Sequence, residues 1–261
     1  MIPLLAPFFA GPLRPFGERL SIAAQPAQPS LSAAAPGLAD TCLAKLAQAL
    51  GCDDRRALAA AWFRDYTLAV LPGALVAATL HRRRLPFDHP ALGWQVAADG
   101  RVTSLVLPDD GTPATGTLPC LLAPLLARHL PQVVAAFAGA ARVSPRLLWC
   151  TGGVAAAGVA RQLAAHPALA AAQRAELLAW SGHAVSADGF GNPFHGAFRP
   201  GAEPGLPGVT AVRRICCLNH RLPDEGYCGT CPLVADARAR ARLSGAEAAP
   251  ARATAAIASP R

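Results

Sequence analysis

Arg213-Arg214-Ile215-Cys216-Cys217-Leu218-Asn219-His220-Arg221-Leu222-Pro223-Asp224-Glu225-Gly226-Tyr227-Cys228-Gly229-Thr230-Cys231-Pro232-Leu233 is the stretch from which the rest of the chain is best read. Its four cysteines run CC-x10-C-x2-C, with Pro232 directly after the last. Structural zinc usually draws its thiolates from two separated CxxC knuckles, each offering two sulfurs to one tetrahedral ion. Adjacent cysteines suit that poorly, because their side chains diverge along an extended backbone. They suit a centre whose two irons each take two thiolates, as a [2Fe–2S] cluster does. Gly226 and Gly229 allow the backbone to pass close to inorganic sulfide and to aim amide N–H groups at it. The spacing therefore favours iron–sulfur over zinc.

At these residues the chain resembles the siderophore-iron reductases of the ferrioxamine-reductase type. The adjacent Cys216-Cys217, the loop Arg221-Leu222-Pro223 and the ending Cys228-Gly229-Thr230-Cys231-Pro232-Leu233 carry the resemblance. Over the helical middle it is looser and rests on length, apolar helices and the Leu148-Trp149 step. The resemblance implies a C-terminal [2Fe–2S] cluster that passes one electron to ferric iron held in a siderophore.

Working outward, the composition narrows the field. Half of the residues are apolar and the formal net charge is +8. Lys45 is the single lysine, so arginine supplies nearly all of the positive charge. No basic run interleaves with stacking aromatics, and nucleic acid is not an expected partner. Neither GxGxxG nor GxxxxGK[ST] occurs, so reducing power has to come from a donor protein, a ferredoxin or a flavin reductase. Of the eight cysteines, Cys42, Cys52, Cys120 and Cys150 are scattered through apolar patterns and read as core. The apolar start, Met1 to Ala10, lacks a basic leader and is broken by prolines, so it is not read as a signal. Thr67 to Leu80, the best candidate span, is too short and contains Pro72-Gly73. These features predict a cytoplasmic protein with at most peripheral membrane contact.

The expected fold is α+β: a predominantly helical domain with one small antiparallel hairpin and a C-terminal cysteine-ligated module. Residues 1–37 read as an irregular Pro/Ala-rich segment, 38–209 as the helical domain, 210–243 as the [2Fe–2S] module, and 244–261 as a disordered tail. Within the helical part, Asp40 or Thr41 caps a first helix that Gly51 ends, and Asp53-Asp54 caps a second along Leu58, Trp62 and Tyr66. A third runs from Thr67 to Leu80 and stops in His81-Arg82-Arg83-Arg84, read as a solvated helix end. Trp94 to Leu105 is the clearest strand signal. Asp99-Gly100 suits a two-residue turn, which sets Trp94 opposite Leu105 and Val96 opposite Thr103. Pro124 kinks a leucine-rich helix starting near Leu118, and Ser144-Pro145 opens another.

From Ser181 to Val209 periodicity vanishes, as in a functional loop or lid. This stretch and the cysteine loop are the expected walls of a chelate cleft. Arg214 and Arg221 are the candidate charges for orienting a ferric siderophore, and Phe194 and His195 the candidate wall residues. Cys216, Cys217, Cys228 and Cys231 are the candidate cluster ligands. The leading functional expectation is reduction of siderophore-bound Fe(III) to Fe(II). The competing one is a non-catalytic interaction module built on structural zinc at the same four cysteines.

Overall fold

The computed structural model describes residues 1–22, 37–186, 189–200 and 211–235. The expected Gln25–Ser30 linker and 244–261 tail, and nearly all of a short helix expected from Ala235 to Leu243, lie outside the described residues.

Helix α1 (Leu38–Leu50) begins one turn earlier than its expected cap, at Gly37 with φ of 75°, and ends at Gly51 in the left-handed region. Asp54 opens α2 (Arg55–Leu80) by accepting from the amides of Arg56 and Ala57 at 3.0 and 3.2 Å. The two helices expected here are one rod of 26 residues with Pro72 inside it. Proline deletes one helical hydrogen bond, but α2 is buried on nearly every side, so packing before and after Pro72 outweighs the loss. Gly73 has its own task. A Cβ there would stand 2.6 Å from Cδ1 of Leu20, so the bare backbone lets the N-terminal segment close onto the rod.

That segment is a correction to the reading of residues 1–37 as irregular. Up to Ile22 it forms short helical turns at Pro3–Leu5, Gly11–Leu13 and Arg14–Gly17, and then strand β1 (Leu20–Ile22). Ile2, Leu5, Phe9 and Leu20 are all buried in the core. Its prolines do not break these turns. Pro3, Pro12 and Pro15 sit at the first or second helical position, where the missing N–H has no partner to lose.

Strands β2 (Gly93–Val96) and β3 (Val102–Leu107) form the expected hairpin, with Trp94 opposite Leu105 as predicted. Nearer the turn the register differs: Val96 faces Val102, not Thr103, because a bulge intervenes. The amide of Gly100 (φ 83°) bonds the carbonyl of Ala97, and the amide of Ala97 bonds that of Arg101. The loop thus has three residues, with glycine in the left-handed position. Thr103, the extra residue, turns its hydroxyl to the carbonyl of Gln95 at 3.0 Å. β1 joins the far side of β3 in parallel, giving the order β1–β3–β2.

The hairpin seals the core through Trp94, which meets Trp62 and Tyr66 from α2 and lies edge-on to His129. Trp62 stacks on Phe137 with ring centroids 3.7 Å apart and donates its Nε1–H to the carbonyl of Gly100. His81 to Arg84, read as a solvated helix end, is more structured than that. Arg83 and Arg84 form a two-residue bridge with Thr112 and Pro113, while Arg82 pairs with Glu176 and Arg83 with Asp110.

Helix α3 (Leu118–Ala141) contains the expected irregularity at Pro124, as a π-helical turn over Pro124–His129. Among the described residues, this helix, and not Thr67–Leu80, is the one long and apolar enough to cross a membrane by length and composition. In the fold its leucines, valines and Phe137 are buried in the core. Ser144 caps α4 (Pro145–Ala164), which packs most extensively against α2, and α5 (Ala171–Gly182) lies on α4.

Candidate metal centre

Glycines on α4 position the approach to the cysteines. A Cβ on Gly152 would stand 2.8 Å from Cε1 of Phe194, and one on Gly153 would stand 2.5 Å from the carbonyl oxygen of Phe194. The bare helix face therefore receives the segment Asn192–Ala197 directly, with the ring of Phe194 buried edge-on to Trp149. Strand β4 (Phe198–Pro200) follows and pairs antiparallel with β5 (Ala211–Arg213), Phe198 facing Arg213. β5 runs straight into Cys216-Cys217. Leu218 (φ 62°) turns the chain, Asn219–Arg221 makes a helical turn, and Asp224 (φ 58°) turns it back toward Cys228. The amide of Cys231 then bonds the carbonyl of Cys228 at 2.9 Å, closing the CxxC turn.

The result is a gathering of thiols. Sγ of Cys217 and Sγ of Cys228 are 3.8 Å apart. A tetrahedral metal with metal–sulfur bonds of about 2.3 Å sets its sulfurs about 3.8 Å apart, so this pair already has the spacing of two ligands on one ion. Cys216 accepts a hydrogen bond from the amide of Leu218 at 3.4 Å and is influenced electrostatically by Cys231. Among the described residues, no three His, Cys, Asp or Glu side chains converge on a single ion position. Two thiol pairs suit two irons better than they suit one zinc. His220 lies 3.9 Å from Sγ of Cys216 and stacks on Tyr227.

The surroundings favour negative charge at one thiol, Cys217. The Cys217 thiol is drawn well below the ordinary range by its hydrogen bond with Cys228, against the opposing effect of burial, with help from Arg213, the Asn219 amide and Arg64. Cys228 is pushed up by the same hydrogen bond and by burial. Burial also raises Cys216. Arg213 is itself buried, and its Nη1 has no hydrogen-bond partner among the described residues. A buried guanidinium with an unpartnered donor, acting on the thiols of Cys217 and Cys228, suits an anionic cluster.

Residues 213–233 match the model of the FhuF 2Fe-2S C-terminal domain. The cofactor of this segment is a [2Fe–2S] cluster. Cys216, Cys217, Cys228 and Cys231 fit its ligation, and the zinc reading gives way to it. No curated protein matches the chain.

The other candidates fare unequally. Arg214 is exposed and donates to the carbonyl of Phe198 at 3.0 Å. Arg221 is exposed but engaged, pairing with Asp54 at the start of α2 at 3.0 Å. Phe194 is an interior packing residue and not a cleft wall, because the glycine floor of α4 draws its ring inward. His195 is exposed beside it. The irregular stretch does wall a cavity of about 240 Å³, but through His183, Ser186, Phe190 and Asn192, against Trp180.

Three contributions escaped the sequence. Arg64 reaches from α2 to Oδ1 of Asn219 at 2.9 Å, Cys52 donates to the carbonyl of Arg221, and Cys150 to those of Ala197 and Ile215. No local signal marks them, since each contact joins residues far apart in the chain. Arg213 did carry a signal. Neighbouring strand residues point to opposite faces, so of Arg213 and Arg214 only one could face the thiols.

Proposed function

We propose that this protein is an electron-transfer protein that reduces Fe(III) bound in a siderophore to Fe(II), releasing iron in the cytoplasm. The observation that carries the reading is the paired cysteine array at 216–231, in a segment matching the FhuF 2Fe-2S C-terminal domain. Cys216, Cys217, Cys228 and Cys231 are the proposed ligands. When bound, the cluster supplies one electron at a time.

The chain's own residues have three tasks in this reading. The four thiolates hold the redox centre at the end of the fold, on a loop whose Arg221, Tyr227 and Gly229 are exposed. Arg214, with no carboxylate partner among the described residues, and Arg221 attract an anionic ferric chelate. His195, exposed next to Phe194, is a further candidate for the wall of that approach. Hydroxamate-type oxygens are hard donors that hold Fe(III) far better than Fe(II), so one electron is enough to loosen the metal. A ferredoxin or flavin reductase supplies that electron.

Stopped-flow mixing of chemically reduced protein with several ferric siderophores, following reoxidation of the visible spectrum, tests the proposal. At least one chelate should reoxidise the protein faster than its iron-free form does. For an anionic chelate the rate should fall as salt rises. Equal rates with and without iron would end the reading.

A further inference from the structure

Among the described residues, Arg213 is the one buried arginine. Its Nε donates to Oγ1 of Thr230 at 3.3 Å, and its backbone amide bonds the carbonyl of the same residue at 2.9 Å. Thr230 lies between Cys228 and Cys231, so the guanidinium is fastened to the CxxC turn itself. Nη1 is left buried and unpartnered, and no carboxylate of the described residues pairs with the side chain. An unpaired buried charge is strongly disfavoured unless an opposite charge faces it. The nearby groups able to supply that charge are thiols. Arg213 acts electrostatically on Cys217, Cys228 and Cys150.

We propose that Arg213 is the internal counter-cation of the cluster and sets its reduction potential. Two ferric irons, two sulfides and four thiolates sum to a dianion, and taking up one electron makes it a trianion. No bond is broken and no proton moves. A fixed, buried positive charge stabilises the trianion more than the dianion, and therefore raises the potential. Exposed Arg214, one residue along, sits in water and is screened from this role. The inference rests on the cluster alone and not on the siderophore as electron acceptor.

Potentiometric titration of the loaded protein, read by visible absorbance and by the electron paramagnetic resonance of the reduced state, tests it. Arg213→Gln should keep the oxidised spectrum and become harder to reduce by about tenfold in the equilibrium, about 59 mV for a one-electron couple. Arg213→Lys, which keeps the charge, should recover most of that shift, and Arg214→Gln should show almost none. An Arg213→Gln protein with a loaded cluster and an unchanged potential overturns the proposal. If that variant fails to load, Thr230→Val decides. It retains the guanidinium but removes its anchor, so the potential should fall by a smaller step, and an unchanged potential overturns the proposal. Failure to reduce any siderophore would remove the proposed function while leaving these shifts intact.

Discussion

The helical body and the cysteine module are held together by different physics. The body buries Trp62, Tyr66, Trp94 and Phe137 in one stacked group, and α2 is enclosed along most of its length. The module, within 211–235, buries few apolar side chains, chiefly Val212, Leu222 and Ala235. Its remaining ties are polar: Arg64 to Asn219, Arg221 to Asp54, and thiols to one another. A segment with so little core depends on its metal centre for order, whereas the body is stable through close packing. Stability and redox function are thereby separated along the chain.

Removing a ligand is the sharpest way to break this comparison. Cys228→Ala should abolish the visible spectrum while the far-ultraviolet dichroism of the helices stays near wild type. Loss of both signals together would show that the body needs the cluster as much as the module does.

A second large effect belongs to the body alone. His129, hydrogen-bonded to the Tyr66 hydroxyl, is held neutral by burial, which lowers its pKa from 6.5 to about 4. The unfolded chain takes up a proton below pH 6.5 that the folded chain refuses. Stability is therefore complete above that pH and falls as pH drops toward 4, by about 3 kcal/mol in total. Denaturant titrations across this range should show the slope, and His129→Gln should flatten it.

The seam between the two regions should respond less strongly. Gly153→Ala pushes a methyl group against the carbonyl of Phe194 and should cost about 1–3 kcal/mol. Faster proteolysis within 189–200, with the helical dichroism unchanged, would sharpen the picture of a bare helix face as the module's seat. Smallest of all is Arg221→Ala. It loses an exposed ion pair with Asp54 and should lower stability by less than about 1 kcal/mol.

How far the sequence spoke follows the same division. The cysteine spacing identified the centre because ligand geometry is local. The caps at Gly51, Asp54 and Ser144, the kink at Pro124 and the Trp94–Leu105 pairing were legible for the same reason. The bulge at Thr103 was not, since Asp99-Gly100 serves a three-residue loop as well as a two-residue one. The continuity of α2 past Tyr66, where a second and a third helix were expected, was not legible, because the packing that holds the rod together comes from residues such as Leu5 and Leu20, distant in the chain. The parallel pairing of β1 with β3 is equally non-local. At the site, the reach of Arg64 to Asn219 and the second role of Asp54, as partner of Arg221, were invisible because each joins residues far apart in the chain, and Phe194 was misplaced because an exposed-looking Gly/Pro/Asn stretch concealed its glycine-lined seat.

Asp54 has a consequence in time as well as in space. Its carboxylate both caps the first turn of α2 and receives Arg221, and Cys52, Arg64 and Cys150 complete the contacts of the docked loop. All four residues leave the ribosome well before Cys216 does. Chains fold from the N-terminal side during synthesis. The receiving surface is therefore made while the ligands are still to come, and the cysteines emerge after it, toward a dock that is already built.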